Sequence, residues 1–564
     1  MVFGSRHMVR NIALGTGAIF VFLVYSFLSF ASVSGGVVRL NSPDETANYF
    51  FARTLAQTGQ IGYQEPLLAV SKGVVHPRSM TTAGDKVVPV GFLGLTILYG
   101  FLAKILGVGA ILFFTPFLAV CSALAFYFLL KRIFSQRVAA LSAVLLLIHP
   151  AYWYYASRGM LPNVLFVDLL IIGALCVTLA FEKKQLWLSC LGGIVIGTAL
   201  TVRFSEVLWV VGAGLLLALA AVRRRTLLLI MCCALGCTIP LGVFFSLNKA
   251  VYGHPLLFGY QITATYESVS ALDRTLDLLR NFSISAIPEL KESIGQTLEK
   301  ARAYAFPFGF DPAVFSLHFY QYGIQMFWWF SLLVVFGFFI VFRRALYDCF
   351  VHRRYRLILY SATTLFGGFW LTAFYGSWIF FDNSAEAVTI GNSYVRYWLP
   401  MYILTLPFAS SALTYFLKSR SGWLARFAGV SACVVVLLYF SGNAVLLQFP
   451  DSTLEVAKNI GRYQEGARQI QAVTPGDAVI FSERSDKNFF PERKSAQSFK
   501  DFAEKDLVSP LVERVPVYYY GLWSEKDAEY ISHHYFTEYA LHWEHVAEFG
   551  NNERLFWVVK NAEQ

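Results

Sequence analysis

Charge is scarce in this chain. Only 15% of its 564 residues are charged while 56% are hydrophobic and 17% aromatic, a balance that excludes a soluble protein of this size. External disulfides are missing as well. All eight cysteines (Cys121, Cys176, Cys190, Cys232, Cys233, Cys237, Cys349, Cys433) fall in predicted spans or a predicted cytoplasmic loop, and none has zinc-site spacing. There is no internal repeat and no low-complexity tract. The first apolar run, about 12 to 33, follows Arg6 and Arg10 and lacks a convincing cleavage site, so it reads as a retained span.

The net charge of +10 does not point to nucleic acid once its distribution is read. From residue 446 on there are 13 Lys and Arg against 19 Asp and Glu, which leaves 33 against 17 for the rest. That basic excess sits in short loops between apolar runs, several of which reach about 18 residues or more, the length that crosses a bilayer as helix. Cytoplasmic loops carry the excess Lys and Arg. Placing Arg6/Arg10, Lys131/Arg132/Arg137, Lys183/Lys184, Arg223 to Arg225, Arg343 to Arg356 and Lys418 to Arg426 inside gives one consistent alternation.

The result is a polytopic α-helical membrane protein of about eleven transmembrane helices, N-terminus inside and C-terminus outside. The predicted spans are 12 to 33, 109 to 130, 138 to 156, 164 to 181, 186 to 202, 207 to 222, 226 to 247, 324 to 342, 357 to 375, 395 to 417 and 424 to 445. Segment 89 to 106 is left out, because a crossing there would put the later basic clusters outside; it reads as an interfacial helix. The outer inventory is then loops 34–108, 157–163, 248–323 and 376–394, and a tail from 446. Two domains follow, 1–445 in the membrane with its external loops and 446–564 as a small extracytoplasmic α/β domain.

In the long loop, Ser268 to Leu279 and Glu289 to Ala305 read as amphipathic helices that could roof a site, and Asn281-Phe282-Ser283 is a chance-level sequon. In the tail, Leu454 to Val473 is helical by spacing, Ala478 to Phe481 and Val515 to Tyr520 read as strands, and Glu525 to Phe536 as a helix. Leu541 to Phe549 with Leu555 to Val559 reads as a hairpin around Gly550-Asn551-Asn552. Tyr518-Tyr519-Tyr520, Trp523 and Trp543 would suit a sugar platform, but aromatic-rich strands are more often core.

The stretch that organises the rest is Asn41-Ser42-Pro43-Asp44-Glu45-Thr46-Ala47-Asn48-Tyr49-Phe50, just past the first span. Two adjacent carboxylates where a membrane helix surfaces are costly unless solvated or used. Pro-Asp-Glu is also an ordinary helix start, with proline and acids favoured in the first turn. The helix runs on toward Gly59.

This pattern resembles the first external loop of the GT-C class of lipid-linked-sugar glycosyltransferases, in particular glycosyltransferase family 39, the protein O-mannosyltransferases, and the aminoarabinose transferases. The resemblance covers roughly 1 to 445 and implies a GT-C fold and a glycosyltransferase that moves a sugar from a polyprenyl-phosphate donor to a hydroxyl of a protein, lipid or glycan on the outer face, with inversion. The membrane would be the plasma or inner membrane. In the family the first acid of the pair is the proposed base, and Asp44 matches it; Glu45 would orient the acceptor or the phosphate. No cofactor is implied; a divalent ion shared by two carboxylates is the less favoured option, because the second acidic motif is replaced by Pro162-Asn163.

Four cations match or approach the family's phosphate-binding positions. Arg158 matches an arginine common in the second loop, with a snorkelling interfacial arginine as the alternative. His76-Pro77-Arg78 precedes Lys86, displaced from the usual lysine before a proline pair. Arg396 stands in Tyr394-Val395-Arg396-Tyr397-Trp398-Leu399-Pro400, similar to a pattern that opens a late span, with an interface anchor as its plain alternative. Arg203 with Glu206 reads as a neutralising pair. Tyr49, His76, His254 and Tyr394 are candidate acceptor or loop contacts, although a lone His before Pro, as at 254, is more often structural. The alternatives to an enzyme are a transporter or flippase of lipid-linked sugars, which the missing repeats disfavour, and a non-catalytic binder of them.

Overall fold

The computed structural model describes residues 2–30, 33–34, 37–221, 224–262, 309–352, 355–378, 387–417, 422–497, 508–522, 524–536 and 540–561. The two amphipathic helices expected in the long loop, and Asn281, lie outside the described residues. The chain divides into two compact units: Met1–Ser29, Leu112–Phe244 and Asp277–Glu455 form one, and Phe30–Ile111, Phe245–Leu276 and Val456–Gln564 the other.

The first unit is helical. Over the whole chain, seven helices among the described residues are long and apolar enough to cross a membrane, or up to nine if each of two bent pairs is one span. The predicted single span 138–156 is one of those pairs: Gln136–Ile148 and Pro150–Ala156 meet at 56°. Pro150 lacks an N–H and forces the preceding residue out of the helical region, and His149 accordingly sits at φ −64, ψ 126. The other pair, Leu186–Val202 and Phe204–Leu219, turns by 115° at Arg203.

Small residues set how closely these helices approach, as they must where lipid gives no hydrophobic drive between helices. Gly173 and Gly192 face each other, and a Cβ added at either would lie 3.2 or 3.1 Å from the other's carbonyl oxygen. Gly337 lies so close to the Phe408 carbonyl that any Cβ would collide with it. All eight cysteines are free thiols.

The second unit joins the loop 34–108 to the tail. Pro43–Thr58 and Leu93–Leu106 cross where Gly100 meets Ala52 and Leu55. At 14 residues Leu93–Leu106 is only about 21 Å long, short of the roughly 30 Å hydrocarbon core. Between the two helices the loop forms a three-stranded antiparallel sheet, Tyr63–Gln64, Lys86–Pro89 and Met80–Ala83 in spatial order.

The tail holds a five-stranded sheet in the order Lys494–Ala496, Val479–Phe481, Val517–Gly521, Arg554–Lys560, Leu541–Glu548. Its first three strands run parallel and the last two form the expected antiparallel hairpin. Ala467 and Ile470 of the Thr453–Val473 helix cover one face, against Ile480, Tyr518, Tyr520 and Leu555. The opposite face packs Tyr519, Trp543 and Phe556 with Val508, Leu511 and Phe536, and takes Leu67 and Val75 from the loop 34–108. The aromatic strand residues Tyr518 to Tyr520 and Trp543 are therefore core.

Candidate active site

Asp44 sits in the first turn of Pro43–Thr58. Ser42 is the N-cap, at φ −99, ψ 144, and its Oγ accepts the Asp44 N–H at 3.2 Å. Glu45 closes the capping box: its Oε2 accepts the Ser42 N–H at 2.9 Å, and the residue is only 2% exposed. Glu45 thus turns inward to cap its own helix, while Asp44 stays half-buried. The Oδ1 of Asp44 accepts the Ser79 hydroxyl at 2.6 Å. Ser79 has φ +62, a left-handed conformation uncommon for a non-glycine residue, and its carbonyl accepts the Val90 N–H at 3.2 Å. One turn after Asp44, buried Asn48 lies beside Gly91.

The neighbouring candidates divide by what they touch. Arg78 donates Nε–H to Asp486 Oδ1 at 2.8 Å and its backbone N–H to Oδ2 at 2.6 Å, so a buried carboxylate already neutralises this expected phosphate ligand. Lys86 is half-exposed on its strand with no side-chain partner among the described residues, which leaves its charge available. His76 Nδ1 meets the Pro77 carbonyl at 2.9 Å, and burial pushes its pKa below the usual value. Burial raises the Tyr49 hydroxyl pKa, opposed by Arg53 one turn on. The exposed His254 accepts the Leu256 N–H on Nδ1 at 3.2 Å, which closes a local turn after the Arg224–Tyr252 helix.

In the first unit, Arg158 and Arg396 both lie within electrostatic range of the Tyr155 hydroxyl. Tyr155 donates to the carbonyls of Ile390 and Asn392, each at 3.1 Å. Arg158 donates Nη1–H to the Tyr154 hydroxyl at 2.9 Å and lies 5.2 Å from that ring's centroid. Arg396, on the Ser393–Tyr397 helix, donates to Ser393 Oγ at 2.8 Å and lies 5.1 Å from the Tyr397 centroid. Asn163 donates to the Arg396 carbonyl at 3.1 Å. Tyr394 is buried in aromatic packing, its ring 4.3 Å from His318 and its hydroxyl donating to the Trp378 carbonyl.

Arg203 forms the pair with Glu206 that the sequence pointed to, and it also stacks on the Tyr397 ring at 4.6 Å, on which Tyr375 lies parallel at 4.5 Å. One ring therefore carries both Arg203 and Arg396. The sequence reading missed Ser79 and Asp486, whose partners are distant in the chain, and the part played by the Tyr397 ring. It also missed Asp168, buried in the Pro162–Lys183 helix, whose Oδ1 accepts the hydroxyls of Ser122 and Tyr152, both at 2.6 Å. Among the described residues, no three His, Cys, Asp or Glu side chains gather as a metal site would need.

Comparison with known proteins bears out the resemblance to the GT-C glycosyltransferases at the level of the fold and of one family model. Residues 94–247 match the family model of dolichyl-phosphate-mannose-protein mannosyltransferase. The fold is similar to that of ArnT from Cupriavidus metallidurans in the apo state, with a TM-score of 0.50 at 11% identity over 96% of this chain and 98% of that one. The same ArnT bound to undecaprenyl phosphate gives 0.49 at 12% identity, covering 96% and 97%. The oligosaccharyltransferase AglB from Archaeoglobus fulgidus, in complex with an inhibitory peptide and a dolichol-phosphate, gives 0.48 at 12% identity, covering 89% and 69%. No curated protein matches the chain by sequence.

Proposed function

We propose that this protein is an inverting glycosyltransferase that takes a sugar from a polyprenyl phosphate and places it on a hydroxyl of a protein, lipid or glycan at the outer face of the membrane. The reading follows the eleven-span topology, which puts the first external loop and the tail outside. The observation that carries it is the Asp44 carboxylate: half-buried, at the positive end of a capped helix, and held on one oxygen by Ser79.

Asp44 accepts the proton of the acceptor hydroxyl as its oxygen attacks the anomeric carbon. The bond from that carbon to the phosphate oxygen breaks on the opposite side, which inverts the centre, and the electron pair leaves with the polyprenyl phosphate. Charge then grows on the phosphate, and fixed cations aimed at it lower the barrier. By the sequence resemblance these cations are Arg158 and Arg396, each a planar fork, and Lys86, a point charge. Arg78 is left out of this set because Asp486 occupies it. Glu45 holds the first turn from which Asp44 projects. With the cations in this role the transfer draws on neither metal nor organic cofactor.

The experiment is a donor and acceptor screen on the purified full chain. Undecaprenyl- and dolichyl-phosphate sugars are mixed with serine- and threonine-containing peptides and with lipid and glycan acceptors, with and without EDTA. The reading expects free polyprenyl phosphate and an inverted glycoside in equal amounts, insensitive to EDTA. Donor binding with no release would instead mark a non-catalytic binder.

A further inference from the structure

The groups that hold Asp44 are themselves held by a part of the chain more than 400 residues away. Asp486 is fully buried in the tail domain, at the start of the short Asp486–Phe489 helix. A carboxylate is tolerated there only with donors on it, and Arg78 of the first external loop supplies donors to both oxygens. A further guanidinium nitrogen of Arg78 donates to the Arg484 carbonyl. The next residue is Ser79, the left-handed residue whose hydroxyl reaches Asp44.

The same tail segment holds the chain on the other side of Asp44. Lys487 donates to the Asn41 carbonyl, just before the helix cap. Arg39 donates to the Phe490 carbonyl at 2.5 Å and pairs with Glu492 at 2.6 Å. The Phe490 ring packs against Phe50 at 4.6 Å. Residues 39–41 and 78–79 flank Asp44, and residues 484–492 fasten both.

We infer that the C-terminal domain is a positioning device for Asp44, and that Asp486 is the positioning residue that fixes the 78–79 turn and, through Ser79, the direction of the carboxylate. This rests on the reading of Asp44 as the base. A left-handed serine persists only where its surroundings over-determine it, and the two bonds from Asp486 to Arg78 do so. A general base displaced by about 1 Å loses about a hundredfold in rate. Asp486 touches no substrate, so its effect falls on kcat and not on the KM for donor.

The test uses the full chain in lipid nanodiscs, with hydrogen exchange over 40–48 and 77–82 and turnover measured with undecaprenyl-phosphate mannose. In Asp486→Ala, exchange in both stretches rises about tenfold or more, as for the loss of charge-assisted hydrogen bonds, while strands 517–521 and 554–560 keep their protection. Its kcat falls about a hundredfold at unchanged KM. Asp486→Asn, which retains one acceptor oxygen, lies between it and wild type. Lys494→Gln, which removes the Lys494–Glu65 ion pair at 2.5 Å without touching the turn, behaves as wild type.

Unchanged exchange at 77–82 in Asp486→Ala overturns the inference, and so does full turnover in that variant while Asp44→Asn is inactive. If the tail strands also lose protection in Asp486→Ala, then Asp486→Asn decides by the same two criteria. Full turnover in Asp44→Asn overturns the reading of Asp44 as base, and the exchange data then decide alone whether the tail fixes the turn.

Discussion

Glu206→Ala is predicted to destabilise the first unit by about 3–5 kcal/mol, the range for stranding one partner of a buried ion pair. The side chains of Arg203 and Glu206 are 8% and 2% exposed, so water cannot replace the lost carboxylate. Oε1 accepts from Arg203 Nε at 3.2 Å and Nη2 at 2.8 Å, and from the Tyr375 hydroxyl at 2.8 Å; Oε2 accepts the Trp209 indole N–H at 2.6 Å. Truncation therefore leaves a cation and two neutral donors without their acceptor. Tyr397 lies against both Arg203 and Tyr375, so the disturbance reaches the ring that carries Arg396. The assay is the thermal inactivation half-life in nanodiscs, with intrinsic tryptophan fluorescence as the structural probe. Replacing both partners, as Arg203→Met with Glu206→Leu, should recover most of the stability, since apolar residues of similar volume substitute well for a whole buried pair. A loss below about 1 kcal/mol in Glu206→Ala, the range of an exposed pair, or a double variant no better than the single one, would refute the reasoning.

Three further outcomes are expected. Asp168→Ala should cost about 1–3 kcal/mol, because Ser122 and Tyr152 lose the carboxylate but keep the Ala119 carbonyl, 3.1 Å from each hydroxyl, whereas Asp168→Asn, which keeps an acceptor oxygen, should be milder; equal half-lives would contradict this. Gly337→Ala should destabilise by about 1–3 kcal/mol, because its Cβ forces the Trp328–Phe350 and Leu399–Phe416 helices apart; wild-type stability would show that the contact is looser. His76 is held neutral by burial, against the pull of Asp486. Its folded pKa lies below the unfolded value of about 6.5, so the unfolded chain binds the extra proton first. Stability is full above that value and declines as pH falls through it toward the folded pKa. His76→Gln should flatten this part of the stability profile, and an unchanged acid limb would sink the assignment.

What the sequence made legible is what local pattern encodes. The tail's helix, strands and hairpin follow from spacing and from Gly550-Asn551-Asn552, and they form within a few residues of the expected places. The start of the Pro43–Thr58 helix was open to two readings, and the structure shows the helix start, with Ser42 as N-cap and Glu45 closing the capping box, while Asp44 stays half-buried. The misread features depend on contacts between distant segments. Arg78 looked like a phosphate ligand because Asp486, its partner, is 408 residues away. Asp168 drew no attention inside an apolar run, since its donors Ser122 and Tyr152 come from other helices. The split of 138–156 was written in His149-Pro150, but length alone outweighed the proline. The association of the first loop with the tail depends on Leu67, Val75 and Phe490, apolar residues without a signature of their own.

The central claim is that the Asp44 carboxylate removes the acceptor proton. Single-turnover transfer from a radiolabelled donor found in the screen, compared between wild type and Asp44→Asn with donor affinity measured in parallel, tests it most directly. The account predicts a fall in rate of about 100- to 10,000-fold, the span of general-base catalysis, at unchanged donor affinity. A rate within a few-fold of wild type would contradict it.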